Sequence, residues 1–533
     1  MSRATTVLHS APRRTFIGAA GAHAIGTIGG VGAGTAGAWV LAGCAGASLA
    51  PMTGLTPSAA ERDAALPYAV ADLAHARTLR ERGLADDTAW RLLQQLCTEV
   101  GARPAGSPAD AKAQTWAIAA LRGLKLEEAR AEGFALRVWQ RGAASARLVA
   151  PAPRPLVMAA LGNSIAASAG GIEAPIAWYA NLDALRADTS ERARGRIVFI
   201  DQRTERTRDG RGYGVAVAAR VNGAVEAARR GALALAIRSI GTSGATGAAA
   251  ASGPSGSSGP GGRSSSATPV AHTGAMRYDL SVPRIPAFAV SVPDADAMAA
   301  MHAAGQEMRL RFELEARSDV EARTANVIAE WRGTDLAHEI VLISAHLDSW
   351  DVGQGAEDDG AGVAIVSAAA GLIAAAGLRA RRTIRVVLFG NEENGFDGAR
   401  DYGNRYKDVP HQLVAESDFG AGRLYALRSR VAPAALPAVE AIAQVLAPLA
   451  IAHPDAARNE ANPGPDAAVL MRRHRWPALT LAQDGTRYFD VHHTADDTLA
   501  NLDARGLPQN VAAWAAMAWL AAQSPLPFGP PTL

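Results

Sequence analysis

The sequence predicts an α/β fold built on a mixed, largely parallel sheet flanked by helices. Residues 339–345 and 382–389 are short apolar runs with the composition of strands buried in a parallel sheet. Residues 363–378 follow the first run and have the alanine-rich composition of a helix. Acidic side chains come soon after each run, and open α/β sheets bind ligands where such strands end. We therefore expect a functional site at this edge of the sheet.

Length and composition exclude several classes of protein. A chain of 533 residues, 49% of them hydrophobic, is long enough for two or more domains with substantial cores. Its 53 basic residues nearly balance 51 acidic ones, so no basic field favours nucleic acid as a partner. The two cysteines, Cys44 and Cys97, cannot supply a disulfide framework, and Cys97 is expected to be a buried thiol in a helix.

The N-terminal segment, residues 1–44, has the features of an export signal. Arg13 and Arg14 form a twin arginine before a long stretch without Asp, Glu, Lys or Arg. Residues 41–44 resemble a bacterial lipobox, in which Cys44 would become the lipidated first residue. We therefore expect a periplasmic or cell-surface lipoprotein, exported by the twin-arginine route and held at a membrane by its lipid. An uncleaved membrane anchor is the alternative, although this Gly-rich stretch would span a bilayer poorly.

The rest of the chain is predicted to contain a linker and a split domain. Residues 45–65 read as the linker. Residues 66–150 and 321–525 are expected to form one α/β domain, interrupted by an insert at residues 151–320. The insert has short strands and one helix, and it resembles the protease-associated domain, a small β-rich module. Residues 241–267 within it are so rich in Ser and Gly that we expect a mobile loop.

The segment after the first predicted strand has the composition of a metal site. His346, Asp348 and Asp358 lie on the two sides of a Gly-rich loop between the strand and the helix. Imidazole and carboxylate groups are ligands that suit zinc. Asp358 or Asp359 could instead cap the following helix, because aspartate accepts hydrogen bonds from the free N–H groups at a helix start. Capping does not account for His346 and Asp348.

Three later segments could complete such a site. Glu392 and Glu393 follow the second strand, and adjacent glutamates point in different directions, so one can bind metal while the other acts as general base. A Glu-Glu pair alone is usually a solvated turn, and its place after a buried strand is what favours function. Asp418 follows a third apolar run. Near the C-terminus, His492 and His493 could supply one more ligand or could be ordinary loop residues.

Together these motifs resemble the co-catalytic zinc aminopeptidase and carboxypeptidase family. The resemblance extends from about residue 92 to 519 and is most specific at residues 101–107 and 346–356. The Ser/Gly-rich loop and the lipobox depart from the family pattern. The resemblance implies a zinc exopeptidase fold with two Zn²⁺ ions per chain as cofactors. The five implied zinc ligands are His346, Asp358, Glu393, Asp418 and His493.

The resemblance also divides these ligands between the two ions. His346 and Asp418 would bind one zinc ion, Glu393 and His493 would bind the other, and Asp358 would bridge both. Metals in such paired sites lie about 3.5–4 Å apart, which leaves room for a bridging water as the expected nucleophile. That arrangement is therefore the expected centre of the reaction.

Two more roles follow from the same resemblance. Glu392 would be the general base for the water, and Asp348 would orient the histidine of the first segment. The choice of His493 over His492 rests on residues 493–498, which match the family's spacing.

These assignments predict an exported dizinc metallo-exopeptidase that hydrolyses dipeptides or short peptides, of the dipeptidase or carboxypeptidase type. Tyr488 and Asp466 fall where the resemblance places substrate contacts. The alternatives are an aminopeptidase for longer peptides, a related deacylase or cyclase, and a catalytically silent metal-binding protein. Glu392 favours an enzyme, because a silent protein has no need of a general base. The sequence leaves a homodimer possible.

Overall fold

The computed structural model describes residues 66–243, 269–454 and 458–531. The predicted export signal with its lipobox cysteine Cys44, the linker, and the Ser/Gly-rich loop beyond residue 243 lie outside these ranges. Those predictions therefore stay predictions.

Helices and strands alternate along most of the described chain. The helices are α1 (Val70–Leu84), α2 (Thr88–Gln95), α3 (Pro108–Gly123), α4 (Leu182–Ala187), α5 (Arg211–Arg229), α6 (Val292–Ala303), α7 (Ala361–Ala375), α8 (Asp397–Arg405), α9 (Leu436–Leu446), α10 (Pro465–His474) and α11 (Leu507–Gln523). The strands are β1 (Glu127–Ala150), β2 (Arg154–Leu156), β3 (Met158–Ala160), β4 (Ile172–Tyr179), β5 (Ile197–Ile200), β6 (Ala234–Arg238), β7 (Ala287–Val290), β8 (Arg309–Trp331), β9 (Leu336–His346), β10 (Arg382–Phe389), β11 (His411–Glu416), β12 (Leu424–Arg430) and β13 (Ala478–Gln483).

The sheet has a parallel centre and antiparallel neighbours. Its strand order is β12-β13-β11-β9-β10-β8-β4-β5-β6-β7-β3. The predicted strands β9 and β10 pair in parallel, and β11 joins β9 in parallel on the other side. β8 runs antiparallel to β10, and β12 runs antiparallel to β13. The predicted mixed, largely parallel α/β sheet is thus confirmed, and its three central strands end at the same edge.

The helix after β9 fills the centre of the core. α7 is apolar on all sides, and such a helix is stable only when it is buried on all sides. It packs against α2, α11 and the central strands β9 and β10. By length and composition the stretch Ala356–Ala375 could cross a membrane, but 94% of its most apolar window is buried inside the protein. That burial is typical of a core helix.

The segment of residues 151–320 contains more helix than the sequence predicts. β4, β5, β6 and β7 are parallel neighbours, and α4, α5 and α6 lie between or after these strands. The two unpredicted helices, α4 and α6, are short, and each starts at a side-chain cap rather than with a long apolar period. The long strands β1 and β8 pair antiparallel and flank the segment. Its assignment as a protease-associated domain stays a prediction.

Candidate metal centre

The predicted ligands meet at the carboxyl edge of the three central strands. His346 is the last residue of β9, Glu393 lies shortly after the end of β10, and Asp418 lies shortly after the end of β11. Parallel strands that are neighbours in a sheet end at one edge, so residues distant in sequence come together there. All three residues face the loop that leads from β9 into α7.

Asp358, in that loop, stands between the two histidines. Its Oδ1 lies 3.2 Å from Nε2 of His346, and its Oδ2 lies 3.2 Å from Nε2 of His493. Asp418 Oδ1 lies 3.5 Å from Nε2 of His346, and Glu393 Oε2 lies 3.1 Å from Nε2 of His493. The two oxygens of Asp358 therefore face two different groups of ligands, which is the arrangement that a bridging carboxylate requires.

The aspartate next to it has a different environment. Asp359 Oδ1 accepts a hydrogen bond of 3.0 Å from the N–H of Gly362 in the first turn of α7. Its Oδ2 accepts a hydrogen bond of 3.1 Å from the N–H of His346. The capping role that the sequence left open for either aspartate is thus performed by Asp359, and Asp358 is free to face the histidines.

Both histidines of the C-terminal pair lie close to the cluster. His492 Nε2 is 3.5 Å from Asp358 Oδ2, and the rings of His492 and His493 stack with their centroids 3.5 Å apart. His493 contacts Glu393 as well as Asp358, whereas the ring of His492 also packs on Tyr488 at 5.0 Å. The contacts of His493 with two carboxylates favour it as the ligand.

Asp348 supports the glutamate pair. Its Oδ1 accepts a hydrogen bond of 3.0 Å from the N–H of Glu392, and its Oδ2 accepts one of 3.4 Å from the N–H of Glu393. Nδ1 of His346 lies 2.9 Å from the backbone oxygen of Asp348 but 3.8 Å from its Oδ1. The backbone carbonyl is therefore the nearer partner of this imidazole, and the carboxylate holds the loop after β10.

Two residues to which the sequence assigned no role hold the site loop in place. Asp497 accepts hydrogen bonds of 2.7 Å and 3.2 Å from the N–H groups of Glu357 and Asp358. Arg103 is fully buried and donates to the backbone oxygens of Leu347 and Gly355, among others. Both lie in the motifs that carried the resemblance. A motif does not show, however, which distant backbone groups a side chain will form hydrogen bonds with.

The two predicted substrate contacts have different surroundings. Tyr488 packs on Phe419 with ring centroids 4.9 Å apart, and it lines a cavity that also contacts Glu357. Asp466, near the start of α10, is fully buried. Neither of its carboxylate oxygens has a hydrogen-bond partner among the described residues. Their part in substrate binding stays a prediction.

The electrostatics of the cluster are those of a cation site. Burial raises the pKa of Glu393, Asp358 adds to this, and the value reaches about 7. Burial lowers the pKa of His493, but Glu393 and Asp358 outweigh burial and raise it to about 9. Buried carboxylates packed together repel one another, and a divalent cation between them removes that repulsion.

The donor set also fits a metal ion. Asp358 Oδ2 and Glu393 Oε1 are buried oxygens that accept no hydrogen bond of normal geometry from the described residues. Groups of three ligand atoms lie within 4.8 Å of one another, including the group of His346, Asp358 and Glu393. Buried polar atoms without partners are costly, so their convergence indicates a bound ion rather than a packing feature. The fold and the cluster together define a candidate metal centre at the carboxyl edge of the parallel strands.

Comparison with known proteins identifies the family. Residues 326–518 match the model of Peptidase family M28. Carboxypeptidase Q from Mus musculus is 32% identical over 444 residues, which cover 83% of this chain and 87% of that protein. Human carboxypeptidase Q is 32% identical over 446 residues, which cover 83% of this chain and 86% of that protein. The chain belongs to peptidase family M28, and the predicted resemblance to the zinc aminopeptidase and carboxypeptidase family is confirmed.

Solved structures agree with this assignment. The crystal structure of a peptidase M28 precursor from Shewanella amazonensis has a TM-score of 0.80 and 41% sequence identity, covering 87% of this chain and 99% of that one. A zinc aminopeptidase from Bacillus subtilis has the same fold, with a TM-score of 0.54 at 18% identity, covering 81% of this chain and 93% of that one. The predicted class, a metal-dependent peptide hydrolase, is confirmed.

Proposed function

We propose that this chain is an exported dizinc exopeptidase that hydrolyses dipeptides or short peptides. The observation that carries the proposal is Asp358, whose two oxygens face His346 and His493 at the same distance of 3.2 Å. One carboxylate between two ligand groups supports two ions rather than one. The proposed first site is His346, Asp358 and Asp418, and the proposed second site is Glu393, Asp358 and His493.

The residues of this chain divide the chemistry between binding and proton transfer. When bound, zinc ions polarise the scissile carbonyl and lower the pKa of the hydrolytic water towards about 7. Glu392 is half-buried, and its carboxylate accepts no hydrogen bond from the described residues. Burial raises its pKa well above the usual value; His346 opposes the shift and Asp418 adds to it. Glu392 therefore offers a carboxylate beside the metal ligands that is suited to take the water's proton and return it to the leaving amine.

The surroundings of the cluster support a small peptide as substrate. Trp350 lines both the small cavity at Asp358, Glu393 and His493 and a neighbouring groove of about 190 Å³. The groove is also lined by Trp139, Arg141, Ser107 and Asn394, which offer an aromatic surface with polar groups beside it. The identity of the relatives as carboxypeptidase Q favours dipeptidase or carboxypeptidase action.

Export is part of the proposal on the basis of the N-terminal sequence. Arg13 and Arg14 support the twin-arginine route, and Cys44 supports a lipid anchor. The catalytic domain would then act at a membrane surface outside the cytoplasm.

Metal analysis of the purified protein and its Asp358→Ala variant tests the metal assignment. We expect two zinc ions per wild-type chain and loss of both in the variant, because Asp358 alone serves both sites. Asp335→Ala is a matched control, since Asp335 is an exposed aspartate paired with Arg381. Two tightly held ions in Asp358→Ala would rule out the bridging role.

A dipeptide panel with free and blocked termini tests the substrate class. We expect hydrolysis of dipeptides with both termini free and little hydrolysis when the C-terminal carboxylate is blocked. Faster release of N-terminal residues from long peptides would replace the proposal with an aminopeptidase. No turnover by the zinc-loaded protein would favour the silent binding protein.

A further inference from the structure

The segment of residues 151–320 contacts the loop that carries His493. The N–H of Thr273 donates a hydrogen bond of 3.0 Å to the backbone oxygen of His493. Nδ1 of His272 lies 2.7 Å from the backbone oxygen of His492, and the N–H of Thr242 donates to the backbone oxygen of Phe489 at 2.8 Å. The histidine loop is therefore held on one side by a segment of the chain more than 200 residues away.

Arg220, in α5 of that segment, is a buried cation with an unusual set of partners. Only 6% of it is exposed, and no carboxylate lies within 4.0 Å of its guanidinium among the described residues. Its Nη2 donates to the hydroxyl of Tyr213 at 2.8 Å, and its Nη1 donates to the backbone oxygen of Thr273 at 3.4 Å. A buried charge without a counter-charge is costly, so its position calls for a functional reason.

The guanidinium lies against the backbone at Gly274. A Cβ at this position would come 2.2 Å from Nη1 of Arg220, and the φ of Gly274 is +133°. Any other side chain would therefore displace the guanidinium and strain the backbone. Glycine at this position keeps Arg220 next to the carbonyl of Thr273.

The same carbonyl is the partner of the His493 imidazole. Nδ1 of His493 lies 3.3 Å from the backbone oxygen of Thr273 and 3.5 Å from Nη1 of Arg220. A carbonyl oxygen only accepts, so a hydrogen bond to Thr273 requires a proton on Nδ1, whereas a hydrogen bond from Arg220 would require a lone pair there. Nδ1 cannot satisfy both, and the shorter distance to the carbonyl favours the proton. In the neutral imidazole, the form that binds metal, a proton on Nδ1 leaves the lone pair on Nε2, the atom that faces Asp358 and Glu393. The hydrogen bond to the second ring nitrogen decides which nitrogen of a histidine can bind metal.

We propose that Arg220 is a positioning residue for the second metal site: it fixes the Thr273 carbonyl, which holds His493 with Nε2 towards the metal. The proposal rests on the proposed function, because it takes His493 as a ligand. Segment 151–320 then contributes to metal binding without supplying a ligand of its own.

Titration of the metal-free, full-length protein with Co²⁺, followed by visible absorption and equilibrium dialysis, tests the proposal. We expect Arg220→Met to bind one Co²⁺ as the wild type does and the other about 10- to 100-fold more weakly, the usual loss when a ligand's partner is removed. Arg220→Lys should weaken the second site less, because an ammonium group can still donate to the carbonyl. If Arg220→Met does not fold, Arg220→Lys carries the test, and wild-type affinity at both of its sites would contradict the proposal.

Two further variants separate the possible outcomes. Arg238→Met removes another buried arginine of the same segment, which pairs with Asp201 and Asp296 at 2.5 and 2.9 Å. It should leave both Co²⁺ sites unchanged, and an equal loss there would reduce Arg220 to a general structural role. His493→Ala should lose the second site. If His493→Ala keeps the second site, the proposed function is wrong. If His493→Ala loses the second site but Arg220→Met keeps both sites, only the positioning role is wrong.

Discussion

Glu392 and Glu393 are adjacent in sequence but have different surroundings. Glu393 Oε2 lies 3.1 Å from Nε2 of His493, and the side chain is buried. Glu392 is half-buried and accepts no side-chain hydrogen bond from the described residues. The N–H groups of both are held by Asp348, so the backbone of the pair is fixed while the two carboxylates point to different places. This supports one ligand and one base.

Replacing each glutamate by glutamine should separate these two roles. We expect Glu392→Gln to keep its metal and its substrate affinity while kcat falls by about 10² to 10⁴, because a positioned base is needed only in the transition state. Glu393→Gln should lose one metal ion and recover part of its activity in excess zinc. Metal content and kcat, measured on the same preparations, check both expectations. Equal loss of metal from both variants would mean that both are ligands or that the roles are reversed.

At the scale of elements, the loop between β9 and α7 depends on Arg103. Its Nε donates to the oxygen of Leu347 at 2.5 Å, Nη1 to that of Gln354 at 2.7 Å, and Nη2 to that of Gly355 at 3.0 Å. One guanidinium therefore donates to three carbonyls of an irregular loop, of which that of Gly355 also accepts from the N–H of Gly360. The loop positions Asp358, so Arg103 links stability to the metal centre.

Loss of this guanidinium should destabilise the protein strongly. We expect Arg103→Met to lower the free energy of unfolding by about 3 kcal/mol, because several buried carbonyls lose a charged donor. Denaturant unfolding of the metal-free protein measures this change. Arg137→Met is the control, since Arg137 forms an exposed pair with Glu321 and should matter little. A similar small effect in both variants would contradict the role of Arg103.

The first residue of β11 makes stability depend on pH. His411 is buried against Trp476 with ring centroids 3.6 Å apart, and its Nε2 lies 2.9 Å from the Tyr402 hydroxyl. Burial lowers its pKa from about 6.5 to about 3, with Arg385 adding to the shift and the Val409 carbonyl opposing it. Below about pH 6.5 the unfolded chain takes up a proton that the folded chain refuses, so stability falls as pH falls towards 3.

Unfolding measured at pH 7 and pH 5 tests this expectation. Between these values His411 should lower the free energy of unfolding of the wild type by about 2 kcal/mol, because pH 5 lies about 1.5 pH units below the unfolded pKa. Over the same interval the loss in free energy of unfolding should be smaller by this amount in His411→Gln. His338→Gln, at an exposed histidine, should show the same loss as the wild type. Identical pH dependence in wild type and His411→Gln would show that His411 is not the cause.

At the scale of the whole molecule, the predicted location rests on residues outside the described ranges. Cys44→Ser should release the protein from the membrane fraction or block its processing, because only the thiol of Cys44 could carry the lipid. Fractionation and N-terminal sequencing measure this, with Cys97→Ser as the control for a buried, free thiol. Wild-type protein in the soluble fraction, with an N-terminus other than residue 44, would contradict the lipoprotein prediction.

Much of the fold and the composition of the site could be predicted from the sequence. Buried parallel strands are continuous apolar runs, so β9 and β10 and the acids after them are visible without a structure. Because these strands are parallel neighbours, they end at one edge of the sheet, and this shared edge brings His346, Glu393 and Asp418 together. Two of the three helices of segment 151–320 were missed, because short capped helices carry little periodicity.

The sequence distinguished neighbouring residues only through the resemblance, which implied Asp358 and His493, and only the tertiary structure shows the contacts of each neighbour and of the distant partners. Asp358 and Asp359 have the same side chain, and His492 and His493 do too, so composition cannot say which one caps a helix or faces a carboxylate. Those choices depend on the backbone of irregular loops, which is set by contacts from Arg103 and Asp497. Arg220 and Thr273 reach His493 across more than 200 residues, and such contacts exist only after the chain has folded.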